Sequence, residues 1–147
     1  MGRMKISGSY TLAVGAERAY QALQDPTLLA QCMPGCESLD LVGPNKYAMK
    51  MKMALAAFSG LFDGSVEIAN ANPHTSFQLI VEGKGKIGFM KGTGNITCKP
   101  LTEASTEVHY EGDVQVGGTI AAVGSRLVDS TSKMMIKKFF DKFATLL

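Results

Sequence analysis

Tryptophan is absent from this chain of 147 residues, histidine occurs twice and cysteine three times. Each scarcity narrows the chemistry. Cys32, Cys36 and Cys98 are an odd number, which argues against the paired disulfide framework of a small secreted domain. Neither His74 nor His109 stands near a cysteine or carboxylate at ligand spacing, so a structural zinc site is not expected. Charged residues make up only 19% and the net charge is +2, without the strongly basic balance of a nucleic-acid binder. No apolar run reaches the length of about 18 residues that a membrane span needs. The opening MGRMKISGSY lacks the long apolar region of a signal peptide. The expectation is a cytoplasmic chain with reduced thiols, a single domain over residues 1–147 that buries about two-thirds of its unfolded surface.

What the sequence does have is methionine, nine in all. Flexible, polarisable methionine suits a surface that adapts to apolar ligands, and equally serves as core filler. Its placement separates the two readings. From Lys46 to Leu55 apolar and charged residues alternate, with Tyr47, Met49, Met51 and Met53 on one face and Lys46, Lys50 and Lys52 on the other. That is a half-buried antiparallel strand with a methionine face.

Similar alternation predicts strands over Lys5–Leu12, Glu37–Val42, Gly60–Ala71, Ser76–Glu82, Gly88–Lys99 and Ser105–Val116. In the last of these Val108, Tyr110, Val114 and Val116 face inward. Two short helices, Gly15–Gln24 and Thr27–Gln31, follow the first strand; Asp25 caps the second and Pro26 opens it. After Gly117-Gly118 one long helix is expected, Thr119–Leu146, with Ile120, Val123, Leu127, Thr131, Met134, Phe139 and Phe143 as its apolar stripe. The class is therefore α+β: a curved antiparallel sheet of about seven strands with a long C-terminal helix over its concave face. Space between such a helix and sheet is the natural ligand site.

The motifs that suggest other chemistry fail on context. Gly83-Lys-Gly-Lys-Ile-Gly88 spells G-x-G-x-x-G, but strand-like residues follow it where a dinucleotide site needs a helix. A hairpin turn and sheet-bending glycines explain it better. Cys32-Met33-Pro34-Gly35-Cys36 has zinc-permitted spacing, but Cys98 alone cannot complete a ligand set. Pro-Gly between the thiols is turn chemistry. Lys133, Lys137, Lys138 and Lys142 complement the C-terminal end of the helix, or face an anionic surface.

Asp25-Pro26, Cys32-Met-Pro-Gly-Cys36, Glu82-Gly-Lys-Gly85, Val114-Gln-Val-Gly-Gly118 and Gly124-Ser-Arg-Leu-Val-Asp-Ser130, in that order, resemble the CoxG family of carbon monoxide dehydrogenase. The resemblance runs from Met4 to Phe143. It implies the helix-grip fold (START-like, Bet v 1-like, of the SRPBCC superfamily), with a cavity between sheet and C-terminal helix. It further implies association with a molybdenum hydroxylase of the carbon monoxide dehydrogenase type, in maturation, membrane recruitment or electron transfer to quinone. Some relatives carry a C-terminal extension for membrane attachment; here Leu147 directly follows the helix, so cavity binding is expected ahead of anchoring, with peripheral contact at the cytoplasmic face left open.

On this reading Tyr47, Met49, Met51, Met53, Phe62, Phe77, Leu79 and Tyr110 line the cavity from the sheet, and Leu127, Thr131 and Met134 from the helix. Cys32, Met33, Pro34, Gly35 and Cys36 form a loop at its mouth. An isoprenoid quinone or a lipid is the expected occupant, with no catalytic residue, metal or other cofactor. The alternative is a cyclase-, aromatase- or hydrolase-like helix-grip enzyme using Tyr10, Tyr47 and Tyr110.

Overall fold

The computed structural model describes residues 2–53 and 59–147. Strand β1 (Gly2–Leu12) leads into helices α1 (Ala16–Ala22) and α2 (Pro26–Cys32). Six strands follow: β2 (Cys36–Gly43), β3 (Lys46–Met53), β4 (Gly60–Asn72), β5 (Ser76–Gly85), β6 (Gly88–Thr102) and β7 (Ser105–Gly117). Helices α3 (Thr119–Ala122) and α4 (Ser125–Thr145) close the chain. The expected continuation of β3 through Ala54 and Leu55 lies outside the described residues.

All seven strands join one antiparallel sheet in the order β1-β7-β6-β5-β4-β3-β2. From β2 onward each strand pairs with the next in sequence, so short turns suffice; only the step from β1 to β2 crosses the sheet, and α1 and α2 carry it. Asp25 accepts a hydrogen bond from the Thr27 amide (2.9 Å) and Pro26 opens α2, the capping pattern the sequence predicts. Gly83–Gly88 is the β5–β6 hairpin, with Gly85 paired to Gly88. This is the helix-grip arrangement.

The expected single C-terminal helix is two. Gly124 has φ +96°, a conformation that stops α3 and restarts the chain as α4. The break shifts the phase of the apolar stripe. Leu127 (43% exposed) and Met134 (37%) face outward, while Val128, Phe140 and Phe143 are buried and Met135, Ile136 and Phe139 pack inward. The stripe extrapolated from Ile120 and Val123 across Gly124 is thus one residue out of phase in the first half of α4.

Aromatic rings fasten the second half of α4 to the sheet. Phe140 stacks on Tyr10 of β1 (5.0 Å between centroids) and on Tyr110 of β7 (5.9 Å), and Phe139 stacks on Phe143 at 5.4 Å. Tyr10 also donates to Asp141 (3.1 Å), which accepts from Lys137 (2.7 Å). Lys137, as hydrogen-bonding partner, holds the Asp141 carboxyl below its ordinary range. Lys133 pairs likewise with Asp129, at 3.0 Å.

Candidate functional site

Register places the inner face of the sheet residue by residue. Tyr47, Met49, Met51 and Met53 of β3 pair with Val66, Gly64, Phe62 and Gly60 of β4. Ile68, Val66, Gly64 and Phe62 pair in turn with Leu79, Val81, Gly83 and Gly85 of β5. Beyond them come Gly94, Gly92 and Met90 of β6, then Gly112, Val114 and Val116 of β7. Among the described residues, every side chain on this face is uncharged. Lysines and carboxylates of the same strands, such as Lys50, Lys91, Glu111 and Asp113, take the alternate positions and point outward.

The buried residues do not merge into one core. One cluster joins Leu12, Tyr20, Phe77, Cys98, Val108, Phe140 and Phe143, with Tyr47, Leu79 and Tyr110 packed against it. A second joins Val116, Ile120 and Val128, with Met4, Met90 and Val114. The third is sulfur-rich: Met49, Met51 and Val66, flanked by Met33, Cys36, Met53 and Met135. Phe62 touches both the second and third.

Helix α4 makes its closest backbone approaches to β1 and α2 and stands off from the middle strands. Leu79, Val81, Met90 and Val114, on the inner face of strands that are not at the sheet's edge, are accordingly only part-buried. A central strand exposes such side chains only where the opposing layer leaves room. Over this gap α4 presents Val128, Thr131, Ser132 and Met135, so its roof is apolar at the ends and hydroxyl-bearing between. Among the described residues the hydroxyls of Tyr47 and Tyr110 have no hydrogen-bond partner, and neither is sealed from solvent.

Of the sequence-derived lining, Met49, Met51 and Phe77 are buried and Tyr47, Met53, Phe62, Leu79, Tyr110 and Thr131 part-buried on the inner side. Leu127 and Met134 are not on it; Val128 and Met135 take their places. Sequence reasoning also missed Val81, Met90 and Val114 as lining. Their alternation with Glu82, Lys91 and Gln115 carried that signal.

Two grooves of ≈ 230 Å³ and ≈ 340 Å³ open on the opposite, outer face. Glu82, Lys91, Asp113 and Gln115 line the first, and Asn70, Gln78, Asn95 and Glu111 the second. Both are polar and wide open, unsuited to an apolar molecule, and they leave the inner gap as the candidate site.

The Cys32–Cys36 loop is a turn. The Cys36 amide donates to the Met33 carbonyl (3.1 Å), Pro34 and Gly35 fill the corner, and Gly35 has φ +80°, as a type II turn requires. A Cβ on Gly35 would strike the Lys52 carbonyl. The two thiols part: Cys32 enters the first cluster and Cys36 lies beside the methionines. Burial pushes both thiols up, and it pushes Cys98 up to about 11.

A thiol raised in the folded state stabilises the fold below its unfolded pKa and forfeits that stability as pH climbs through the folded value. For Cys98 the window runs from about 9 to about 11. Unfolding free energy is expected to fall there by up to about 2 kcal/mol, and Cys98→Ala should flatten part of the slope in urea titrations across this range. An unchanged slope would contradict the assignment.

A family model for carbon monoxide dehydrogenase CoxG matches residues 8–147. No curated protein matches the sequence. Among solved structures, a conserved protein from Geobacillus kaustophilus is 32% identical with a TM-score of 0.94, over 97% of this chain and 93% of that one. A START superfamily protein from Mycobacterium smegmatis shares 13% identity at TM-score 0.76, covering 98% and 96%. Truncated norcoclaurine synthase from Thalictrum flavum shares 14% at 0.69, covering 99% and 93%. At these last identities the likeness is one of fold.

Proposed function

The chain belongs to the CoxG family of carbon monoxide dehydrogenase, and from that membership and the uncharged, part-open inner face we propose a non-catalytic accessory protein that holds a neutral apolar ligand between sheet and α4. The observation that carries the reading is the part-exposure of Leu79, Val81, Met90 and Val114 beneath α4. Burying them against a ligand gains roughly 0.8 kcal/mol per methylene removed from water. Methionines around the gap supply an adaptable wall.

A fatty acid or phospholipid would place an anionic head on a face with no described cation. An isoprenoid quinone or neutral lipid meets no such cost, and the hydroxyls of Tyr47, Thr131 and Ser132 offer hydrogen bonds to a carbonyl. The partner we infer is a molybdenum hydroxylase of the carbon monoxide dehydrogenase type. Of maturation, membrane recruitment and electron transfer to quinone, a sequestered apolar ligand fits the last most directly. Acid–base catalysis, as in a helix-grip enzyme, would call for an ionisable group on the inner face; the tyrosines are the nearest candidates.

Extraction of the purified protein into organic solvent, with mass spectrometry, is expected to release quinone or neutral lipid. Calorimetric titration of the extracted protein with decylubiquinone should show saturable binding. A clean extract together with no binding would overturn the proposal.

A further inference from the structure

The three core clusters are separated by glycine. Gly112 of β7 pairs with Gly94 of β6, and Gly92 lies two residues along on the same face. Gly92 pairs with Val81, whose neighbour on that face is Gly83, and Gly83 pairs with Gly64 of β4. Gly85 completes the line beside Phe62. The path crosses four strands diagonally. Three interstrand steps of about 4.8 Å and four residues of about 3.3 Å give it a length of roughly 20 Å.

Backbone crowding explains part of this line. A Cβ on Gly64 would strike the Glu82 carbonyl, one on Gly112 would lie 2.7 Å from the Thr93 carbonyl, and one on Gly85 would lie 2.6 Å from that of Leu61. These glycines let the sheet bend. Gly83 and Gly94 differ. A Cβ on Gly83 meets nothing within 4 Å, and one on Gly94 meets only the Glu111 carbonyl at 3.6 Å. Neither has a positive φ that would call for glycine. Glycine within a strand costs about 0.5–1 kcal/mol relative to alanine, so both positions forgo stability with no backbone reason.

Resting on the ligand-binding reading above, we propose that this glycine line is the bed of the site, that it takes a chain-shaped neutral apolar molecule lying diagonally across the inner face, and that Gly83 and Gly94 set its bore. Met90 and Val116 bound the bed on one side and Met49 and Met51 on the other. Its narrowness favours a tail over a compact ring, and the uncharged face favours a neutral chain over a soap.

The test uses decylubiquinone and its tail-less parent, 2,3-dimethoxy-5-methyl-1,4-benzoquinone, titrated into the extracted full-length protein. The wild type is expected to bind the first and to bind the second far more weakly. In the series Gly83→Ala, Gly83→Val, Gly83→Leu, affinity for decylubiquinone should fall with side-chain volume, reaching a loss of about tenfold or more at leucine, the scale of overpacking an apolar site. Gly94→Leu should do the same. Thr93→Leu, exposed on the opposite face of the same strand, should leave affinity unchanged. Thermal unfolding reports whether each variant folds, and the alanine variant keeps the comparison available should leucine prove too large. A wild type that binds the tailed quinone, with Gly83 and Gly94 variants binding equally well, overturns the glycine bed and leaves the carrier standing. A wild type that binds neither quinone overturns both.

Discussion

Phe143→Ala is expected to lower the unfolding free energy by about 3–5 kcal/mol, a large share of the 5–15 kcal/mol typical of a domain. Phe143 has no exposed surface and is among the largest fully buried side chains described. Its ring stacks on Phe139 and meets Phe140 edge-on (6.5 Å), and Phe140 is the ring held between Tyr10 and Tyr110. Truncation leaves a cavity at the centre of the aromatic fastening, so the transfer and cavity costs add. Because this half of α4 is what secures the helix to the sheet, retention of an apolar ligand should weaken with it. Urea unfolding gives the stability. A loss under about 1 kcal/mol would mean that the rings do not carry the helix.

Val128→Asp and Leu127→Asp, neighbours on α4, are expected to differ by several kcal/mol. Val128 is 5% exposed and packs with Val116 and Ile120, so a carboxylate there is buried without a partner, or is forced to protonate. The expected cost is about 3 kcal/mol or more, together with loss of ligand binding. Leu127, 43% exposed, should tolerate the change within about 0.5 kcal/mol. The reverse ranking would restore the uninterrupted stripe from Ile120 through Leu127 to Met134 and contradict the break at Gly124.

That pair marks where sequence reading stops. The strands were legible because polar–apolar alternation is a local property: Lys46–Met53 and Ser105–Gly117 announce both their conformation and their inner face. The phase of α4 was not, because it depends on the backbone at Gly124, and a glycine in a helical pattern does not state its dihedral angles. The aromatic end was visible as Phe139, Phe140 and Phe143, though not its partners Tyr10 and Tyr110, which register and long-range packing bring in.

The glycines were the larger omission. Gly83 and Gly85, Gly92 and Gly94, and Gly112 each sit at inward positions of alternating strands, yet along the chain they look like turns and bends. Only pairing aligns them into a continuous bed. The Cys32–Cys36 loop shows the opposite case. Its Pro34-Gly35 corner was readable as a turn from four residues, since the geometry that selects those residue types is local.

The central claim is that an apolar ligand lies between the sheet and α4, and methionine methyl groups report on it directly. With ¹³C-methyl-labelled methionine, decylubiquinone is expected to shift the resonances of Met49, Met51, Met90 and Met135, which border the gap, and to leave Met134, exposed on the outer side of α4, in place. Shifts confined to Met134, or saturable binding that moves none of the inner methyls, would contradict it.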